Sequence, residues 1–182
     1  TRAGSARQLL HIAKHMRSAL AIEALSHNFK VFRFAERCAL PSASLPDLSL
    51  SQALRRRVST RQFSGATLSL ETLSAVLVPA VACTRRAVSA DFPGVTLHFR
   101  PYPSGGGEYP VEIYLILLRV EGRPLQVVHF DPLGCAFDVV VGHVSFETVA
   151  RSLMQPGDAL QTAAALIVLT AIFERSTAKY GD

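Results

Sequence analysis

Cysteine is scarce in this chain, with Cys38, Cys83 and Cys135 spread over 182 positions. The odd count and the wide spacing fit neither a disulfide framework nor a zinc site, so reduced, mostly buried thiols in a cytoplasmic protein are the plain reading. Charge is sparse too: Asp, Glu, Lys and Arg make up 18%, against 49% hydrophobic residues. A chain of that make-up is not disordered over most of its length. Its most apolar run, Ala163 to Phe173, is too short for a bilayer-spanning helix, which needs about twenty residues. The first residues, Thr1-Arg2-Ala3-Gly4, lack the charged start and apolar block of a signal peptide. A soluble protein with no membrane partner is therefore expected. No basic run is interleaved with aromatics, which argues against nucleic acid as a partner. There is no HExxH, Walker or paired-cysteine motif. His129, His143 and Asp131 come without a nucleophile in matching context, so Ser-His-Asp hydrolysis is disfavoured.

What is present is enough apolar sequence for one domain with a real core. The net charge of +5 favours anionic partners, a phosphate cofactor among them. Ala6 to Leu25 reads as a helix with Leu9, Leu10, Ala13, Met16, Leu20 and Ile22 weighted to one side; His11, His15 and His27 near it form no metal set. Cys38 to Leu50, rich in Pro and Ser, reads as a loop. A short helix from Leu50 to Arg56 follows, then a helix capped by Ser69 with Leu70, Leu73 and Leu77 on one face, which Pro79 closes or kinks. Cys83 to Pro103 is irregular apart from a short strand at Val95 to Phe99. Val111 to Val120 and Leu125 to Phe130 read as strands joined by Glu121-Gly122-Arg123-Pro124, and Ser145 to Met154 as a helix. Ala163 to Phe173 is best taken as a buried strand, a buried helix being the alternative. Strands and helices mix without regular βαβ alternation, and this points to α+β.

Three strings carry chemistry. Arg57, Ser59 and Arg61 alternate, so extended backbone would put two guanidiniums and a hydroxyl on one face, a set suited to a phosphate. Taken alone, the string is equally a solvated cluster at a helix end. Pro103-Ser104-Gly105-Gly106-Gly107-Glu108-Tyr109-Pro110 is a glycine-rich turn that lets main chain approach a flat ligand; an ordinary loop is its bland reading. Lys179-Tyr180-Gly181 reads by itself as a surface pair, though two adjacent residues can line a pocket from a loop.

Together these strings resemble the nitroreductase-like FMN oxidoreductases, and within them the SagB/McbC-type azoline dehydrogenases. The resemblance runs from about Leu48 to Asp182. It rests on Arg57-Val58-Ser59-Thr60-Arg61 followed by Phe63 and a Leu-rich helix, on the glycine turn set directly before a strong strand, and on Lys179-Tyr180. It implies a central, mostly antiparallel sheet flanked by helices, with residues 1–47 an N-terminal helix and linker and 48–182 the FMN-binding domain. By resemblance Arg57, Ser59 and Arg61 hold the FMN phosphate. Pro103, Ser104, Gly105 and Gly106 lie along the flavin ring, and Lys179 and Tyr180 do acid/base work on a thiazoline or oxazoline. Gly105 stands where the branch usually has Ala, and Glu108 adds a charge where apolar residues are usual. The family pattern continues past Lys-Tyr-Gly with more helices, a strand, flavin contacts and dimer contacts, so the chain is expected to be C-terminally incomplete against it. Expected partners are a peptide or small-molecule substrate and a second copy or the other subunits of a synthetase complex.

Overall fold

The computed structural model describes residues 26–42, 44–45, 47–90, 92–153 and 157–180, with backbone only at 178 and 179. The helix expected over Ala6 to Leu25 lies outside these residues. Five strands form one antiparallel sheet: β1 (Arg37–Ala39), β4 (Val111–Leu117), β5 (Gln126–Asp131), β6 (Ala136–Val141) and β7 (Ala165–Ala171). Their order across the sheet is β1-β6-β5-β4-β7. A separate hairpin joins β2 (Arg85–Val88) to β3 (Thr96–Phe99). The helices are α1 (Leu50–Arg56), α2 (Leu70–Val81), α3 (Phe146–Ser152), α4 (Gly157–Thr162) and α5 (Glu174–Tyr180). The α+β expectation is met.

Capping chemistry sets the helix starts. Ser49, Ser69 and Ser145 each accept from the backbone N–H three residues on, at α1, α2 and α3. At α1 the Gln52 side chain returns a bond to the Ser49 N–H and completes a capping box. Pro79 does not close α2: the helix runs on to Val81 and finishes with the Ala82 N–H on the Val78 carbonyl. In the last turn the proline forfeits one bond only.

Alternation divides the sheet into two faces. Ile113, Leu115, Leu117, Val128, Phe130 and Phe137 point to one side and pack with Leu73 and Leu77 of α2. Leu115 and Val128 are wholly inaccessible, and each such side chain contributes about 1.5–3 kcal/mol. The other side of the central strands carries Tyr114, His129, Asp138 and Arg37, aligned in register across β4, β5, β6 and β1. β7 differs from expectation: it is a strand, but an edge strand, with Ile167 51% and Leu169 65% exposed. An apolar run alone does not separate a central strand from an edge one. β1, β2, β6 and α4 went unforeseen: Cys38 and Ala39, expected to open a loop, lie in β1, and the turn between β5 and β6 has Cys135 at φ 46°.

Candidate functional site

The basic string emerges where α1 ends. Arg57 is already extended, at φ −63° and ψ 118°, and its N–H closes the helix on the Ala53 carbonyl. Arg57, Ser59 and Arg61 are all exposed. No hydrogen bond or ion pair among the described residues joins them to the glycine turn. The chain is fixed again at Leu68, whose N–H donates to the Arg119 carbonyl and whose carbonyl accepts from Glu121. Two guanidiniums and a hydroxyl are thus held out to solvent on a short segment anchored at both ends.

The glycine turn is more tightly built. Gly105–Gly107 form one turn of 3-10 helix, with Gly106 at φ 63° and Gly107 at φ 76°, where only glycine sits without strain. Tyr109 also takes positive φ, 43°. Its N–H donates to Ser104 Oγ at 2.9 Å, and its hydroxyl accepts from the Arg100 N–H at 3.0 Å. Arg100, buried, donates to the Tyr102 hydroxyl and to the Val111 carbonyl, so the residues flanking the turn are drawn together. Pro103, Gly105 and Gly106 remain exposed and Ser104 half-buried. Glu108 does not face water: it is buried, and its carbonyl accepts from the Asn28 side chain. Tyr102, at the mouth of the turn, also lines an open apolar pocket of about 320 Å³ with Ala80, Val81, Val111, Ile113 and Leu169.

Lys179 and Tyr180 lie on a helix, α5, rather than on the loop expected for them. Residues 174 to 180 turn helical because β7 ends at Ala171 and the carbonyls of Ile172 and Phe173 accept the first N–H groups of the new turn. The helix brings Tyr180 to the glycine turn: a methyl group placed on Gly105 would lie 3.3 Å from the Tyr180 hydroxyl oxygen. Two strings 75 residues apart in sequence therefore meet, at a position where the bare glycine leaves the phenol room.

Beneath α5 runs a row of charges that sequence reasoning missed. Arg175 pairs with Glu112 at 2.5 Å and donates to the Tyr109 carbonyl at 2.9 Å. The second Glu112 oxygen meets His129 Nε2 at 2.6 Å. His129 Nδ1 faces Asp138 at 3.8 Å, and Asp138 pairs with Arg37, which also bonds Asp131. Burial raises the Glu112 pKa, but the His129 bond and the Arg175 charge outweigh it and leave it below the ordinary value. Asp131 is lowered in the same way by Arg37 and by the N–H groups of Leu133 and Gly134, against its own desolvation. Burial raises the thiols of Cys83 and Cys135, which makes them poor nucleophiles. The signal for the row was available: Glu112 and Tyr114 share parity in an otherwise apolar strand, as His129 and Asp131 do in the next. Among the described residues no group of His, Cys, Asp and Glu could hold a metal ion, and no helix is long and apolar enough to cross a membrane.

No protein-family model matches the chain. A protein of Methanocaldococcus jannaschii named "putative nitroreductase" is 32% identical over 145 residues, which cover 76% of this chain and 66% of that protein. A crystal structure titled "putative nitroreductase" from Anabaena variabilis superposes with a TM-score of 0.57 at 20% identity, over 84% of this chain and 28% of that one. A chain of the E. coli microcin synthetase McbBCD complex with truncated pro-MccB17 bound superposes at 0.50 with 26% identity, over 83% of this chain and 55% of that one. This chain thus spans about two thirds or less of the length of each relative. The fold is nitroreductase-like, and the sequence relative and solved neighbours support a place among the nitroreductase-like proteins.

Proposed function

We propose that this nitroreductase-like chain belongs to an FMN-dependent oxidoreductase that dehydrogenates azoline heterocycles to azoles in peptide natural-product biosynthesis. The observation that carries the reading is the meeting of the Tyr180 hydroxyl with Gly105. In this reading the string assigned to acid/base work lies against the turn that the family resemblance assigns to the flavin ring. The likeness to a chain of a microcin synthetase complex with a peptide bound supports a peptide substrate and a complex as the working assembly.

The residues present suit FMN. Arg57, Ser59 and Arg61 form an exposed, charge-assisted donor set for the phosphate. Pro103, Ser104, Gly105 and Gly106 offer a flat surface with little side chain, and a Cβ at Gly105 would lie 3.3 Å from the Tyr180 hydroxyl oxygen. When bound, FMN supplies a two-electron acceptor. Residues 48–182 form most of the flavin-binding unit in this reading, and β1 of the segment before them completes its sheet.

Conversion of an azoline to an azole removes a proton from ring carbon and a hydride from its neighbour, leaving one new double bond. Tyr180 and Lys179 are the groups assigned to the proton. The Methanocaldococcus relative favours a second reading, a nitroreductase-like flavoenzyme that has no need of this pair. A third reading is a non-catalytic flavoprotein-like scaffold subunit; the likeness to a chain of a synthetase complex is consistent with membership of an assembly.

Two measurements test these readings. The visible spectrum of the purified protein should show a flavin band that Arg57→Ala weakens or abolishes. Azoline oxidation should fall sharply in Lys179→Ala and Tyr180→Phe. Unchanged oxidation rates in both variants would sink the azoline reading, and a protein that takes up no FMN would favour the subunit reading.

A further inference from the structure

We infer that Arg175 is the positioning residue that seats the Lys179–Tyr180 pair, and that Glu112 is the buried anchor on which it is seated. The catalytic consequence rests on the dehydrogenase reading; the seating itself rests on geometry alone.

A helix of seven residues cannot hold itself in water, where isolated helices shorter than about twelve residues are marginal. Tertiary contacts must fix α5, and the contacts lie at its two ends. At the start, the Arg175 guanidinium pairs with Glu112 of β4 and donates to the carbonyl of Tyr109. At the end, Tyr180 lies against Gly105. Tyr109 and Gly105 belong to one turn, closed on itself by Tyr109 N–H to Ser104 Oγ. A single guanidinium therefore fixes α5 to the backbone of the same turn its last side chain touches, five residues or about 7.5 Å further along.

Glu112 is suited to be the fixed point. Its side chain is 2% exposed, it sits on a central strand bonded on both sides, and its second oxygen is taken by the fully buried His129. His129 is walled by the rings of Tyr114 and Phe32, each with its centroid 5.1 Å away. The carboxylate cannot swing toward solvent without breaking that bond, so Arg175 has one place to go. Loss of Arg175 would leave Glu112 half-paired and release α5 from the turn, moving the phenol while sparing the phosphate string more than a hundred residues away in sequence.

The experiment uses the full chain as wild type, Arg175→Met, Arg175→Lys and Glu112→Gln. Amide hydrogen exchange of residues 174–180 and 126–131 is followed in flavin-free protein. kcat and KM are measured for oxidation of a thiazoline-containing peptide by the FMN-loaded protein. In Arg175→Met, exchange over 174–180 should rise about tenfold or more while 126–131 stays unchanged. kcat should fall about tenfold or more with KM within about twofold, and Arg175→Lys should recover part of both losses. Unchanged exchange over 174–180 overturns the seating. A fall confined to KM, or no fall at all, overturns the positioning role. If Arg175→Met does not fold, the conservative pair decides: both must show faster exchange over 174–180, or the inference fails. A wild type that binds FMN but leaves the peptide unoxidised refutes the dehydrogenase reading instead, and the exchange measurement still judges the seating.

Discussion

Alanine at Gly105 and at Gly107 should act in opposite directions, although the two glycines are separated by one residue. Gly105 is not in the left-handed region, so alanine there needs no strained backbone. By narrowing the unfolded ensemble it should stabilise the protein by about 0.4–1 kcal/mol. Against this stands the new methyl, 3.3 Å from the Tyr180 hydroxyl oxygen and 3.5 and 3.6 Å from the nearest ring carbons. That is tight enough that the phenol must give by a few tenths of an ångström, which the last side chain of α5 can do. The net effect on stability should be neutral or slightly favourable. Gly107 is the reverse case: a methyl there meets nothing within 4 Å, but φ is +76°. Alanine in that conformation costs about 1–2 kcal/mol, or some 2–8 °C in melting temperature for a chain of this size. Thermal unfolding gives the two stabilities, and NMR of ring-labelled tyrosine reports the phenol. The Tyr180 ring signals should shift in Gly105→Ala and stay put in Gly107→Ala. If Gly105→Ala melts as low as Gly107→Ala, or if Tyr180 does not sense the Gly105 methyl, the argument for their contact is wrong.

Removing Arg57 should weaken FMN binding by about ten- to a hundredfold, the worth of one charge-assisted bond at about 1.5–3 kcal/mol, as read by titration of the flavin absorbance; equal affinity would remove Arg57 from the phosphate site. Leu115→Ala, at a wholly buried position between β5 and β7, should cost about 2–5 kcal/mol in urea unfolding, and a loss below 1 would mean that this face is not the core. Glu112 and Asp131 both titrate below their ordinary values in the folded state. The stability they confer is present above the ordinary carboxylate pKa of about 4 and is lost as pH falls through the lower folded values. The urea midpoint should therefore drop below about pH 4, less so in Glu112→Gln with Asp131→Asn, and an unaltered pH profile in that double variant would contradict the assignment.

Local signals carried most of what was readable in the sequence. Ser69 announced α2 because a side-chain oxygen three residues before a free N–H acts without tertiary help; Ser49 and Ser145 do the same work at α1 and α3. Val111 onward announced β4 because β-branched and aromatic residues crowd a helix and suit a pleat. β2, with Arg85-Arg86-Ala87-Val88 exposed throughout, gave no alternation to detect and exists through its pairing with β3. Lys179-Tyr180 reads as a surface pair or part of a loop because nothing between Phe173 and Gly181 signals a helix; what makes α5 is Arg175 reaching Glu112, a contact across 63 positions. The phosphate string and the glycine turn were legible as compositions, whereas the approach of Tyr180 to Gly105 was a fact of packing alone.

The strand order has a consequence for how the molecule assembles. β5 and β6 pair across a turn whose closing partners, Asp131 and Ala136, are five residues apart, and β4 meets β5 nine residues away at Leu117 and Gln126. β1 reaches the same sheet only by bringing Arg37 to Asp138, 101 positions along the chain. A tenfold longer loop costs about 2 kcal/mol more to close, so the meander of β4, β5 and β6 should form first and the amino-terminal strand should be added last. Substitutions at Cys38 should then quicken unfolding and leave refolding unchanged, whereas those at Val128 should slow refolding itself. The charge row, which needs Arg37 at one end and Arg175 at the other, would on this order be completed only as the final strand locks.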